Sequence, residues 1–197
     1  AVFYMCSRYE EYLPHETDEH GRFKVEDSVA YRNDFVQEPI VEQWALLLGG
    51  QLNLEIPNGQ FKFQLTVDID QAWKYKHYSL IRTVGGAIKN IFKLEFVTLL
   101  ERVLVLLGLR KDPWDTYSYL DNLEEQTGKP HQFFILMNSS RPYDAAVSYK
   151  KKAFGKFIRS LEKRNRVGIH PSYVSNEDTN LLSHEFIALS KIIHNKP

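Results

Sequence analysis

Two aspartates, Asp68 and Asp70, stand two residues apart at the end of the stretch LTVDID. Far along the chain, His170 closes the stretch RVGIH. In an extended strand, residues i and i+2 point to the same face, so the two carboxylates lie side by side. Carboxylates so placed repel one another, and a shared proton or a cation relieves the repulsion. Carboxylate and imidazole both suit zinc and similar divalent ions. Asp70 and His170 are therefore candidate metal ligands, and Asp68 is left as a candidate base. A plainer reading stands beside this one: one Asp caps the next helix, the other is solvated, and His170 is structural.

The elements around these residues decide whether they can meet. FKFQLTVD reads as a strand, HQFFILMN as a continuous apolar strand of the kind buried in a parallel sheet, and RVGIH as a short third strand. Helical patterning separates them. It runs from about Leu80 to Leu107, with Gly85-Gly86 as an expected break, and the apolar part from Leu94 to Leu109 is expected to be a buried helix. DPWDTYSYLDNLEEQTG reads as a helix capped by Asp112, with Pro113 at its first position and Gly128 at its end. KKKAFGKFIRSLEKR places Phe154, Phe157, Ile158 and Leu161 on one stripe. The last helix starts near Ser175 and Asp178 and aligns Leu182, Phe186, Leu189 and Ile193. Strands alternating with helices predict a parallel α/β sheet with right-handed crossovers. Ligands of such sheets gather at the carboxyl ends of the strands. Those ends are Asp68-Ile69-Asp70, Met137-Asn138-Ser139 and His170-Pro171-Ser172.

Residues 1–57 form a separate, mainly helical region, with a polar loop PHETDEHGRF between two helical stretches and a turn at Asn58-Gly59. Residues 58–197 carry the alternating elements. With 25 basic and 25 acidic residues the formal charge is zero, which argues against nucleic-acid binding driven by basic charge, leaving only the local run Lys150-Lys151-Lys152. The single Cys6 excludes an internal disulfide and a CxxC zinc site. The apolar stretch near Leu94 carries Glu95, Glu101 and Arg102 and is short for a membrane span, and no signal peptide is visible, so a cytoplasmic location is expected.

LTVDID resembles the first motif of the polysaccharide deacetylases, the chitooligosaccharide-deacetylase-like carbohydrate esterases. RVGIHPSY resembles the segment of their second motif, in which a strand ends in a metal-binding histidine. SRYEEYLPHETDEHGRF, DPWDTYSYL and GIHPSYVSN are similar to a bacterial subgroup with an extra N-terminal region before the deacetylase-like barrel. The resemblance implies a partial, distorted (β/α) barrel after the N-terminal region, and a chain that is a piece of a longer protein. It implies a hydrolase that removes acetyl groups from an amino-sugar-containing glycan with a divalent metal, zinc foremost. Carried over, Asp68 is the general base, and Asp70 and His170 are metal ligands.

The pattern departs from the family at Val174, where a second histidine is usual. Ser172 and Asn176 are the nearest replacements, and Asn176 is taken as the candidate third ligand, although an amide oxygen is a poorer zinc ligand than imidazole. Trp73 and Tyr173 are expected at the rim as faces for sugar rings, with Tyr75 and Tyr78 nearby. A general acid must protonate the leaving amine. His77 follows the first motif, whereas His131 begins its strand, at the wrong end of the sheet. The alternative to an enzyme is a non-catalytic glycan-binding or structural module on the same fold. An uncovered sheet edge is expected to promote self-association.

Overall fold

The computed structural model describes residues 2–55, 59–138 and 143–194, and the chain divides into two compact units, residues 1–61 and 62–197. The division falls four residues beyond the boundary expected from composition. Asn58 of the expected turn and Ser139 at the second strand's end lie outside the described residues.

The first unit is built from short helices. These are α1 (Val2–Cys6), α2 (Val29–Arg32) and α3 (Ile40–Gln51), with a 3₁₀ turn at Tyr9–Tyr12. Ser28 caps α2, its hydroxyl accepting the Tyr31 N–H at 3.1 Å. The polar loop between the first two helical stretches is a small hairpin pinned by a bridge between Thr17 and Phe23. At its tip Gly21 takes φ +72°, and Asp18 Oδ1 accepts the backbone N–H groups of His20 and Arg22.

The second unit holds a three-stranded parallel sheet in the order β1 (Thr66–Ile69), β2 (Gln132–Leu136), β3 (Arg166–His170). Between the first two strands lie α4 (Leu80–Phe92), α5 (Phe96–Leu106) and α6 (Tyr117–Thr127). Then come α7 (Lys152–Glu162) and α8 (Thr179–Ser190). Side chains alternate across the sheet. Ile69, Phe133, Ile135, Met137 and Val167 form the core with Phe154, Ile158 and Leu161 of α7 and Leu189 of α8. The opposite face carries Asp68, Phe134 and Gly168 in one row, since Asp68 pairs with Phe134 and Phe134 with Gly168. Phe134 lies over that glycine: a Cβ at Gly168 would stand 3.0 Å from the ring.

Several expectations are corrected by long-range contacts. The helical run after β1 breaks at Lys93–Glu95, not at Gly85-Gly86. Leu94 takes φ +57° there, and the buried Asn90 amide donates to Glu95 Oε2 at 2.6 Å. Gly86 stays helical because its missing side chain makes room for Arg102, whose guanidinium would lie 2.7 Å from an added Cβ. The α4–α5 hairpin is not a buried element. Ile81, Phe92 and Val97 are 87, 84 and 83% exposed, because α7 and α8 already occupy the core face of the sheet. Asp112 does not cap α6, which begins five residues later, while Gly128 does end it, at φ +63°. Asp178 alone caps α8, accepting from Asn180 and Leu181, while the Ser175 hydroxyl donates to Ser172 O. On α8, Leu189 is buried but Phe186 is 44% exposed. Among the described residues, no helix is long and apolar enough to cross a membrane.

Candidate functional site

Strand β1 delivers its carboxylates to the face opposite the one that packs against α7 and α8. Asp68 lies on that face within the strand, and Asp70 follows one residue past its end. Strand β3 delivers His170, which pairs in register with Leu136 of the central strand. Two outer strands of such a sheet are about 10 Å apart, yet their side chains meet. His170 Nε2 stands 3.6 Å from Asp70 Oδ1 and 4.0 Å from Asp68 Oδ2.

The tautomer of His170 follows from its other nitrogen. Nδ1 lies 2.9 Å from the carbonyl oxygen of Pro171. A carbonyl carries no proton, so Nδ1–H is the donor and the lone pair of the neutral ring sits on Nε2. That nitrogen faces two carboxylates, a donor set that suits a divalent cation. Two ligands each about 2.1 Å from a tetrahedral ion stand about 3.4 Å apart, close to the separation of Asp70 and His170. The pair therefore fits a divalent ion. Among the described residues, however, no group of three His, Cys, Asp or Glu side chains is arranged to hold one. The two statements agree if Asp68 is not a ligand and the protein supplies only two. Val174, 42% exposed on the turn after β3, offers no donor atom. Asn176 ends that turn, and among the described residues no hydrogen bond joins its amide to Asp70 or His170.

The loops at the strand ends are held by charge. Arg82 of α4 donates to Gln71 Oε1 at 3.2 Å and to Ala145 O at 3.0 Å, tying the exit of β1 to the segment before α7. Its guanidinium also stacks 3.6 Å above the Tyr78 ring. Asp112, 1% exposed, accepts the backbone N–H groups of Lys74, Tyr75 and Lys76 and that of Trp114. Burial pushes its carboxyl up, but the four backbone donors outweigh burial and hold it below the ordinary carboxylate value. Glu101 of α5 accepts from Lys74 Nζ at 2.9 Å and from the Tyr75 hydroxyl at 2.8 Å.

The aromatic residues divide into core and surface. Trp73, expected at the rim, is 8% exposed and packs against Phe157 at 5.2 Å between centroids, so its ring belongs to the core. Tyr75 is 2% exposed and equally structural. His77 rests edge-on against Trp73 at 4.4 Å, and burial, with Lys76 and Lys151 nearby, lowers its pKa. His131 is buried at the amino end of β2, its Nδ1 3.3 Å from Glu124. Tyr173 remains exposed and stacks on Tyr143 at 4.0 Å. A residue not expected from sequence joins the site instead. Trp114, with Tyr117 and Leu120, lines a shallow depression of about 320 Å³ that includes Asp68 and Asp70. The first unit has a larger depression of about 510 Å³, lined by Tyr4, His15 and Phe23 among others, but it holds none of these groups.

Comparison with known proteins adds one finding. A family model described as a family of unknown function (DUF7033) matches residues 1–57. No curated protein and no solved structure matches the chain.

Proposed function

We propose that the second unit carries the metal end of a glycan deacetylase, a metal-dependent hydrolase of acetylated amino sugars, on the first strands of a distorted (β/α) barrel. The observation that carries this reading is the approach of His170 Nε2 to Asp70 Oδ1 at 3.6 Å and to Asp68 Oδ2 at 4.0 Å at the ends of two strands of a parallel sheet. Asp70 and His170 would hold a divalent ion, zinc by ligand type. Such an ion supplies an acidified water and polarises an acetyl carbonyl. Asp68, the more distant carboxylate, is free to take the proton from the attacking water. Trp114 and Tyr173, both exposed, suit the apolar C–H faces of sugar rings. His131 is not a proton donor for the leaving amine, since it stands at the far end of β2.

Loading the full chain with zinc and measuring bound metal by elemental analysis tests this; this chain by itself is expected to release no acetate from acetylated chitooligosaccharides. About one ion per chain, lost in Asp70→Ala and in His170→Ala, is the expected result. Zinc absent from the wild type overturns it. A second reading, a non-catalytic glycan-binding module, is favoured by Val174, which removes a donor where the deacetylases this sequence resembles have a histidine. Glycan binding without metal uptake would select it.

A further inference from the structure

The turn that follows His170 contains a buried carboxylate that the proposed reaction does not use. Glu185 of α8 is 4% exposed, and its Oε2 accepts the backbone N–H of Ser172 at 3.2 Å. The amide that donates this proton is the nitrogen of the Pro171–Ser172 peptide. The carbonyl oxygen of the same peptide accepts Nδ1–H from His170 at 2.9 Å. One peptide plane thus lies between a carboxylate and an imidazole, donating to the first and accepting from the second. Among the described residues, Glu185 Oε1 and the Ser172 hydroxyl have no hydrogen-bond partner. Among the described residues, the one hydrogen bond of this carboxylate is to this peptide.

We infer that Glu185 is a positioning residue for His170, acting through the Pro171–Ser172 peptide to fix the imidazole as the Nδ1–H tautomer with Nε2 free to bind a cation; the metal part of this rests on the function proposed above. The physical basis is the mutual polarisation of hydrogen bonds in a chain. A negative charge at the N–H end of a peptide makes its carbonyl oxygen a better acceptor. A better acceptor holds Nδ1–H more firmly and leaves the Nε2 position unprotonated in the neutral ring. In many metal sites a carboxylate bonded directly to a ligating histidine does the same. Here the peptide is interposed. The partner of the next amide supports the geometry: Tyr173 N–H donates to Asp144 Oδ2 at 2.9 Å, so two successive amides after His170 end on carboxylates.

The test uses the full chain with ¹⁵N-labelled histidine. Imidazole nitrogen shifts report the tautomer of His170 without any metal. In the wild type the ring should be the Nδ1–H form at pH values where it is neutral; an Nε2–H ring overturns the inference whatever the variants do. Glu185→Gln keeps the shape and removes the charge, and Glu185→Asp keeps the charge and draws it back by one methylene. Each should raise the Nε2–H fraction severalfold, and each should weaken zinc binding, read by competition with a chromogenic chelator, by about tenfold. Ser172→Ala, which keeps the amide, should change neither. Tautomer fractions equal to wild type in both Glu185 variants would overturn the inference. Wild-type protein that fails to bind zinc would overturn the metal reading alone, because the tautomer measurement stands without it.

Discussion

His170 Nε2 and Asp70 Oδ1 stand 3.6 Å apart although their strands are separated by a third that contributes no polar group to the row. Leu136 of that intervening strand pairs in register with His170 and is 2% exposed. Removing either partner leaves the other with a single ligand, too few for a stable ion. Asp70→Ala and His170→Ala should each reduce bound zinc to background, while Asp68→Asn should retain metal. Elemental analysis of the three variants separates the ligands from the candidate base.

Asp112 is the acceptor for three consecutive amides of the segment after β1. Asp112→Ala strands those amides, and the expected cost is about 3 kcal/mol, measured by urea denaturation. The pH dependence has a definite sign. Because the folded carboxyl is held below its ordinary value, its contribution is present above the unfolded pKa and is lost as pH falls through the folded one. Wild-type stability should therefore decline in acid more steeply than that of Asp112→Asn, whose amide does not titrate.

Gly168→Ala drives a methyl into the Phe134 ring at 3.0 Å. The cost should be about 1–3 kcal/mol, the range for overpacking. Adding Phe134→Leu should recover part of it, so that the double variant is more stable than the sum of the singles predicts. Equal additivity would show that the ring moves aside freely.

The exposed apolar face of the α4–α5 hairpin, with the two open edges of the sheet, should make the isolated chain self-associate. Light scattering should give a mass above 23.1 kDa that rises with concentration. Ile81→Lys combined with Phe92→Lys should lower it. A concentration-independent monomer would contradict this.

The sheet was legible in the sequence because strands buried on one side by helices are short and apolar. The third strand, Arg166–His170, coincides with the stretch RVGIH, and the α7 stripe buries Phe154, Ile158 and Leu161 as its spacing predicts. The meeting of Asp70 and His170 was also readable, since it needs only strand ends on one edge. Other features depend on contacts that local patterns do not encode. Asp112 before Pro113 has the form of a helix cap, but its carboxylate is claimed by amides nearly forty residues earlier. Leu94 to Leu109 reads as buried because apolar periodicity says which face is greasy, not whether anything covers it. Trp73 and Trp114 look alike in sequence, and only packing sends the first into the core and leaves the second beside the carboxylates.

The spacing of the strands along the chain sets the order in which the sheet can close. Joining β2 to β3 spans the 29 residues between Leu136 and Arg166, whereas joining β1 to β2 spans the 62 between Ile69 and Gln132. The longer span costs about 0.7 kcal/mol more in chain entropy. Closing β2 on β3 is therefore the cheaper of the two loop closures, so the imidazole strand is expected to join the ribbon before the strand that carries the aspartates.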